Sequence, residues 1–173
     1  VKNLTDEQLI IILGTKQEYF IKGASYKSLS NGQALTMQLY DCKTNRLYNK
    51  TSKVDTLYWV DASINTDEVI SFEIKKNAEQ VLGNICDAII MKTKTGTTTM
   101  FYTDRYKVDY KVYVNHNFGN WAFFTLKTGA LPLKTIMETS RFKMVSTAVE
   151  IKPMRLKQDF FKIDAQTPTK KSL

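Results

Sequence analysis

The side chains that could carry out chemistry are few and widely spaced. His116, in the stretch V-N-H-N-F-G-N-W, is the only histidine of the chain. A nucleophilic triad needs such a base beside a serine or cysteine, and a third residue that orients it; the G-x-S-x-G elbow is absent. One histidine without clustered carboxylates does not predict a zinc site either. We therefore predict no catalytic residue, no metal and no cofactor, and expect His116 to be a loop residue that contacts backbone.

Two carboxylates close in sequence are the next candidates. Asp104 and Asp109 flank Arg105, Tyr106 and Lys107. Glycosidase-type chemistry needs two carboxylates a set distance apart across a cleft, which neighbours in a turn rarely supply. We predict turn-forming and ion-pairing roles for both.

Basic residues interleaved with tyrosines are superficially similar to a groove for single-stranded nucleic acid. The tyrosines are Tyr102, Tyr106, Tyr110 and Tyr113. The formal net charge is +8, but the lysines and arginines are spread along the chain and form no block. We interpret them as solvated faces and predict no nucleic-acid partner.

The two cysteines leave two interpretations open. Cys42 and Cys86 lack the C-x-x-C spacing, which excludes that redox motif and a cysteine-rich zinc site. They either form a disulfide in an exported protein or are two buried free thiols. No membrane-spanning apolar run and no signal peptide are visible in the sequence.

The elements that position these residues are mainly strands. Within the central stretch Val81–Asp109, the β-rich runs Ile85–Thr93 and Thr97–Thr103 flank Lys94-Thr95-Gly96. Gly96 can take the positive φ that a three-residue turn with a bulge requires. This pattern predicts a long hairpin.

Further strands are predicted on both sides of the hairpin. Period-two alternation is clear at Leu35, Met37 and Leu39 and again at Ile70, Phe72 and Ile74. Trp121–Leu126 is apolar at both parities, which is typical of a strand covered on both faces. The other predicted strands are Lys16–Ser28, Arg46–Lys50, Leu57–Val60, a segment ending at Thr139, and Phe142–Ile151.

A short helix is predicted at the start of the chain. In Leu4–Leu13, Thr5 and Gln8 have the spacing of a capping box and Gly14 follows the apolar run. A strand through Leu9–Leu13 is the alternative, because the run is too compact to show a period.

Together, eight to ten strands and at most two short helices predict a mainly β protein built on a single curved antiparallel sheet. The length fits one domain, residues 1–164, followed by a flexible basic tail, residues 165–173.

Three stretches carry a family resemblance. They are V-L-G-N-I-C-D-A-I-I with the downstream G-T-T-T-M-F-Y-T-D, then Thr128–Glu138, then Pro153–Ile163. In this order the chain resembles an uncharacterised branch of the bacterial envelope lipoprotein-sorting carriers (LolA-like and LppX-like). The resemblance implies an unclosed half-barrel whose concave face is covered by one or two short helices. It also implies a periplasmic or outer-membrane-associated location, with an export signal removed, and an acyl-binding cavity.

The predicted function follows from the apolar strand faces and from this resemblance. We expect a non-enzymatic protein that binds a hydrophobic or lipid-like ligand in the concavity of the sheet, with a membrane surface or an envelope protein as a further partner. The alternative is an envelope interaction or structural module of the same fold with a closed groove. The residues predicted to line the ligand site, each also open to a plain core role, are Leu35, Met37, Leu39, Trp59, Ile70, Phe72, Ile74, Met100, Tyr102, Trp121 and Phe123.

Overall fold

The structure, a computed structural model, describes residues 5–172. The protein is mainly β, with 46% strand and 16% helix. In chain order the elements are α1 (Asp6–Leu13), β1 (Gln17–Lys22), β2 (Ser25–Ser30), β3 (Met37–Asp41), β4 (Arg46–Lys50), β5 (Leu57–Asp61), β6 (Ser71–Val81), β7 (Asn84–Lys92), β8 (Gly96–Lys107), α2 (Trp121–Thr128), β9 (Ala130–Thr139), β10 (Lys143–Thr147) and β11 (Thr169–Lys171). Short 3-10 helices lie at Tyr110–Tyr113, Phe118–Asn120 and Gln158–Phe161.

The strands form two sheets rather than the predicted single sheet. One has six strands in the order β1-β2-β3-β4-β5-β11, and the other has five in the order β10-β9-β8-β7-β6. Strands β1 to β5 and strands β6 to β10 are consecutive antiparallel neighbours, and the pairing is interrupted between β5 and β6. The chain accordingly divides into two compact units: residues 5–62 with 155–172, and residues 63–154.

The six-stranded sheet belongs to the first unit. Its strands β1 to β5 form an antiparallel meander. Within residues 165–173, predicted as a flexible tail, Thr169–Lys171 instead form β11, which pairs in parallel with Leu57–Trp59 of β5. The segment predicted as one strand, Lys16–Ser28, is a hairpin of β1 and β2, because the chain turns at Gly23 with a φ of 58°.

Helix α1 agrees with its sequence signals. Thr5 is the N-cap, and its side chain accepts a hydrogen bond from the Gln8 N–H while the Gln8 side chain accepts one from the Thr5 N–H. Gly14 is the C-cap. The helix prediction is therefore confirmed for the described residues, which begin at Thr5.

The five-stranded sheet belongs to the second unit and contains the predicted central hairpin. Strands β7 and β8 pair from Asp87 with Tyr102 to Lys92 with Thr97. The conformation predicted for Gly96 is wrong, since its φ is not in the positive range. A glycine is needed there because a Cβ would lie 2.1 Å from the carbonyl oxygen of Glu138 on β9.

The predicted strand Trp121–Leu126 is also wrong, because this segment is helix α2. Phe124 and Thr125 are fully buried, and with Trp121 they have the i, i+3, i+4 spacing of one helical face. The Thr125 hydroxyl donates to the Trp121 carbonyl over 3.0 Å, and the C-cap Gly129 donates its N–H to the Thr125 carbonyl over 2.8 Å. The apolar residues at both parities of Trp121–Leu126 are therefore explained by a helix that packs on a sheet.

Candidate ligand-binding surface

The register of the five-stranded sheet brings several predicted lining residues onto one face. Phe72 pairs with Met91, Ile74 with Ile89, and Ile89 in turn with Met100. Directly paired residues lie on the same side of a sheet, as do alternate residues of a strand. Phe72, Ile74, Met100 and Tyr102 therefore share one face, which we call the helix face because α2 packs against it.

Helix α2 closes the centre of the helix face. Phe124 is completely buried and packs with Ile89, Met91, Tyr102 and Ala130. The ring of Phe124 meets Tyr102 edge-on, with centroids 6.2 Å apart. This part of the face is core in the free protein.

Beside the helix, apolar side chains of the helix face reach solvent. The exposed fractions are 66% for Ile70, which precedes β6, 44% for Phe72, 40% for Ile74 and 66% for Ile85. We call these four residues the apolar strip. Phe123 of α2 borders the strip, since its ring lies edge-on to that of Phe72 with centroids 5.3 Å apart.

A lysine also borders the apolar strip. The Lys127 Nζ lies 5.0 Å from the ring centroid of Phe72 and 5.6 Å from that of Phe123. A cation over two aromatic faces is held by their quadrupoles. A positive charge on α2 therefore lies beside the strip at Phe72.

The strip continues into a cleft of about 420 Å³. Ile74, Ile85 and Tyr102 form its apolar part. The charged groups around it are balanced, two lysines against two aspartates: Lys76, Lys127, Asp87 and Asp104. A ligand with an apolar body and a polar or charged end fits this combination.

One ion pair fixes the rim of this cleft. The Lys76 Nζ lies 2.6 Å from the Asp87 Oδ2, and the backbone N–H of Asn77 donates to Oδ1. Burial works to raise the pKa of Asp87, but the hydrogen bonds from Lys76 and Asn77 outweigh it and lower the pKa. The same hydrogen bond and the charge of Asp87 raise the pKa of Lys76, so both groups stay ionised at neutral pH.

A second, polar cleft of about 310 Å³ lies at the start of α2. The Asn65 side chain donates to the Asn120 Oδ1 over 2.6 Å, and the Asn120 side chain donates to the Asp67 carbonyl over 3.0 Å. The Asp67 carboxylate accepts from Thr93 and Thr95 in the hairpin turn, and these bonds lower its pKa. The network joins the loop before β6 to both the helix and the hairpin, and so positions α2 beside the strip.

Methionines extend the helix face toward the other end of the sheet. Met137 pairs with Met144 and with Thr98, which pairs with Met91. Met100 is on the same face. Met100, Met137 and Met144 are half-buried, and their flexible thioethers can adapt to varied apolar shapes.

The structure separates the eleven predicted lining residues into two groups. Seven lie in the second unit, on the helix face, on α2 or just before β6: Ile70, Phe72, Ile74, Met100, Tyr102, Trp121 and Phe123. The other four lie in the first unit: Leu35, Met37, Leu39 and Trp59.

In the first unit the chain fills the predicted site itself. Leu39 is 1% exposed and packs with Tyr48, Leu57 and Phe161 of the C-terminal segment, and Met37 and Trp59 pack against this cluster. The Lys22 Nζ donates to the Leu156 carbonyl over 2.6 Å and holds the segment in place. Leu35 lies outside any strand and is half-buried.

The groups considered for chemistry are dispersed. His116 is 1% exposed, and burial lowers its pKa to about 4. Asp109 accepts the Lys111 N–H over 3.0 Å at the start of a 3-10 helix, as predicted for a turn residue. The turn role predicted for Asp104 is wrong, because this residue lies within β8. Both cysteines are free thiols, and burial raises the pKa of Cys86.

Sequence reasoning missed two residues of this surface. Ile85 lies on the same face of β7 as Asp87 and Ile89. The predicted strand Ile85–Thr93 is apolar at both parities, so its sequence does not show which face is buried. Lys127 follows the predicted strand Trp121–Leu126, and only the continuation of α2 to Thr128 places its side chain beside Phe72 and Phe123.

Among residues 5–172, no helix has the length and the apolar run needed to cross a bilayer. Comparison of the chain with protein-family models, with curated proteins and with solved structures finds no match.

Proposed function

We propose that the protein binds a hydrophobic or amphiphilic molecule with an acyl chain on the apolar strip, without chemical conversion. The observation that carries this proposal is that Ile70, Phe72, Ile74 and Ile85 are exposed apolar side chains, of which Ile74 and Ile85 line one cleft. Surface isoleucines and phenylalanines usually occur singly, and a group of them marks a binding surface.

The energy of such binding follows from burial. Each methylene removed from water contributes about 0.8 kcal/mol. Removing about eight methylenes from water would contribute about 6 kcal/mol. The lost translational and rotational freedom of the ligand opposes this gain, so we expect a Kd of about 0.1 mM or weaker. The balanced charges of the cleft favour neither an anionic nor a cationic head group, so the acyl chain supplies most of the affinity.

The carrier-like role implied by the family resemblance belongs to this proposal. The envelope location and the bent, unclosed sheet are also parts of this proposal. We expect the bend in the five-stranded sheet. Fractionation of the native cells, with detection of the protein in the envelope, tests the location independently of binding.

Fluorescence titration with a lysophospholipid below its critical micelle concentration tests binding. In a Trp59→Phe background, Trp121 is the only tryptophan and lies in the layer beside the strip. Saturable quenching that Phe72→Asp abolishes is the expected result.

Val145→Asp is the matched control, because Val145 is 53% exposed in the same sheet but lies on the opposite face. No saturable signal in the parent protein, or equal loss in both variants, would refute the proposal.

A protein-interaction module is the second candidate. Its support is a group of exposed apolar residues in the connection between β8 and α2: Tyr110, Val112, Val114 and Phe118. The two functions separate in the same titration, because an interaction module gives no saturable lipid signal.

A further inference from the structure

The outer edge of β6 is open. The order β10-β9-β8-β7-β6 places this strand at the margin of its sheet, and within residues 5–172 no strand pairs with its outer side. Residues 71–78 are all exposed. At eleven residues, β6 is the longest edge strand in this described range. Such an edge presents a row of unpaired N–H and C=O groups that can accept another strand.

We propose that two copies of the chain associate through β6, antiparallel and about a two-fold axis at Ile74. The two five-stranded sheets would then continue into each other as one sheet of ten strands. This association does not rest on the proposed ligand binding, because it is argued from the backbone edge of β6 and from Glu73 and Lys75 on the face opposite the helix face. Ile74 of the apolar strip lies at the axis.

The charges of β6 favour a second copy of the chain as the partner strand, and they favour one alignment of the two strands. In an antiparallel pair, two directly facing residues either both direct their N–H and C=O groups at the partner strand or both direct them away from it. In a symmetric pair of β6 strands, residues of equal parity therefore face each other. An axis at Glu73 sets two glutamates opposite each other, and an axis at Lys75 or Lys76 sets two lysines opposite. An axis at Ile74 sets Glu73 opposite Lys75 of the second copy, twice by symmetry.

Glu73 and Lys75 are placed to make these contacts. Their side chains are 58% and 59% exposed on the same side of the strand, and within one copy the Lys75 Nζ lies 3.4 Å from the Glu73 Oε1. A pair this exposed contributes little to the stability of one copy. Residues of opposite charge that face each other across a strand pair stabilise one register, and registers that bring like charges together are destabilised.

The seam is short. Between Lys75 and Glu79 the register of β6 with β7 shifts, and Asn77 takes a φ of 51°. Regular pairing about Ile74 therefore spans Phe72 to Lys76 in each copy. An interface of this size predicts a weak, concentration-dependent dimer.

Charge reversal tests the register. Glu73→Lys and Lys75→Glu each set like charges opposite each other and are expected to weaken dimerisation about tenfold or more. The double variant restores both opposite-charge pairs and is expected to dimerise like the parent. A mixture of the two single variants is expected to form a heterodimer. Sedimentation velocity of ligand-free protein from low to high micromolar concentration, at low salt, measures association in the two single variants, the double variant and the mixture.

Cysteine cross-linking tests the axis. In a Cys42→Ser background, Ile74→Cys places two Cα atoms about 4.5–5.5 Å apart across the axis, within disulfide range. Phe72→Cys places them about 13 Å apart along the strands. Oxidised dimer with Ile74→Cys and none with Phe72→Cys is the expected result.

Three outcomes would overturn the proposal. The first is preferential cross-linking by Phe72→Cys, and the second is a parent protein that stays monomeric at the highest concentration. The third is a dimer indifferent to both charge reversals. Each is read without lipid, so none bears on the ligand proposal.

Discussion

Replacing Gly96 by alanine is expected to destabilise the five-stranded sheet by about 3 kcal/mol. A Cβ at Gly96 would lie 2.1 Å from the Glu138 carbonyl oxygen, 3.1 Å from its carbonyl carbon and 3.2 Å from the Thr139 Cα. All three are backbone atoms of the neighbouring strand β9, so no side chain can rotate away. The strands must separate by about 1 Å to restore an ordinary C···O contact.

Gly83 is the control position for Gly96, because glycine is needed there for its backbone conformation rather than for a close contact. Its φ is +71° and nothing lies within 4 Å of a Cβ. Alanine at Gly83 should cost about 1 kcal/mol from the left-handed backbone alone. Asparagine tolerates that conformation and should cost less than alanine.

Alanine and asparagine should therefore rank differently in the free energy of unfolding that they cost at Gly96 and at Gly83. At Gly96, asparagine should be at least as destabilising as alanine, since the steric contact begins at Cβ. At Gly83, asparagine should be the milder change. Urea unfolding followed by Trp121 fluorescence in the Trp59→Phe background measures the free energy of unfolding. If asparagine rescued Gly96 relative to alanine, Gly96 would be a positive-φ position and the close approach to β9 would be wrong.

Two further predictions concern the layer between α2 and the sheet. Phe124→Ala, which empties a fully buried site, should lower the free energy of unfolding by about 4 kcal/mol, whereas Leu126→Ala, 58% exposed on the same helix, should change it by less than about 0.5 kcal/mol; similar effects would contradict the packing of α2. Burial lowers the pKa of His116 to about 4, while an unfolded histidine titrates near pH 6.5. The unfolded chain therefore binds a proton first as the pH falls, and stability should drop by about 2 kcal/mol between pH 7 and pH 5. Most of that drop should disappear in His116→Gln, as urea unfolding at the two pH values would show.

Local signals in the sequence predicted the elements that they control directly. The capping box of Thr5 and Gln8 predicted α1, and the strands flanking Lys94-Thr95-Gly96 predicted the β7–β8 hairpin. In both places, short-range hydrogen bonding and side-chain type determine the structure.

The errors arose where tertiary packing decides. Trp121–Leu126 has apolar residues at both parities, and only contact with Ile89, Met91 and Tyr102 of the sheet shows which of them face inward. Gly96 was correctly singled out for the wrong reason, because the close approach of Glu138 is a contact between distant residues.

The candidate site was predictable in part. Alternation at Ile70, Phe72 and Ile74 identified an apolar strand face, and pairing placed Met100 and Tyr102 on it. The same alternation at Met37 and Leu39 describes a face that the C-terminal segment covers. Periodicity shows that a face is apolar, but not whether the chain itself covers it.

Binding of an acyl chain on the apolar strip can be tested directly by locating the bound chain with nuclear magnetic resonance. A stearate carrying a nitroxide on its chain broadens amide signals of nearby residues. The greatest loss of intensity is expected at Phe72, Ile74 and Ile85, and reduction of the nitroxide should restore these signals. Broadening centred on Met37, Leu39 and Trp59, or no selective broadening at saturating stearate, would contradict it.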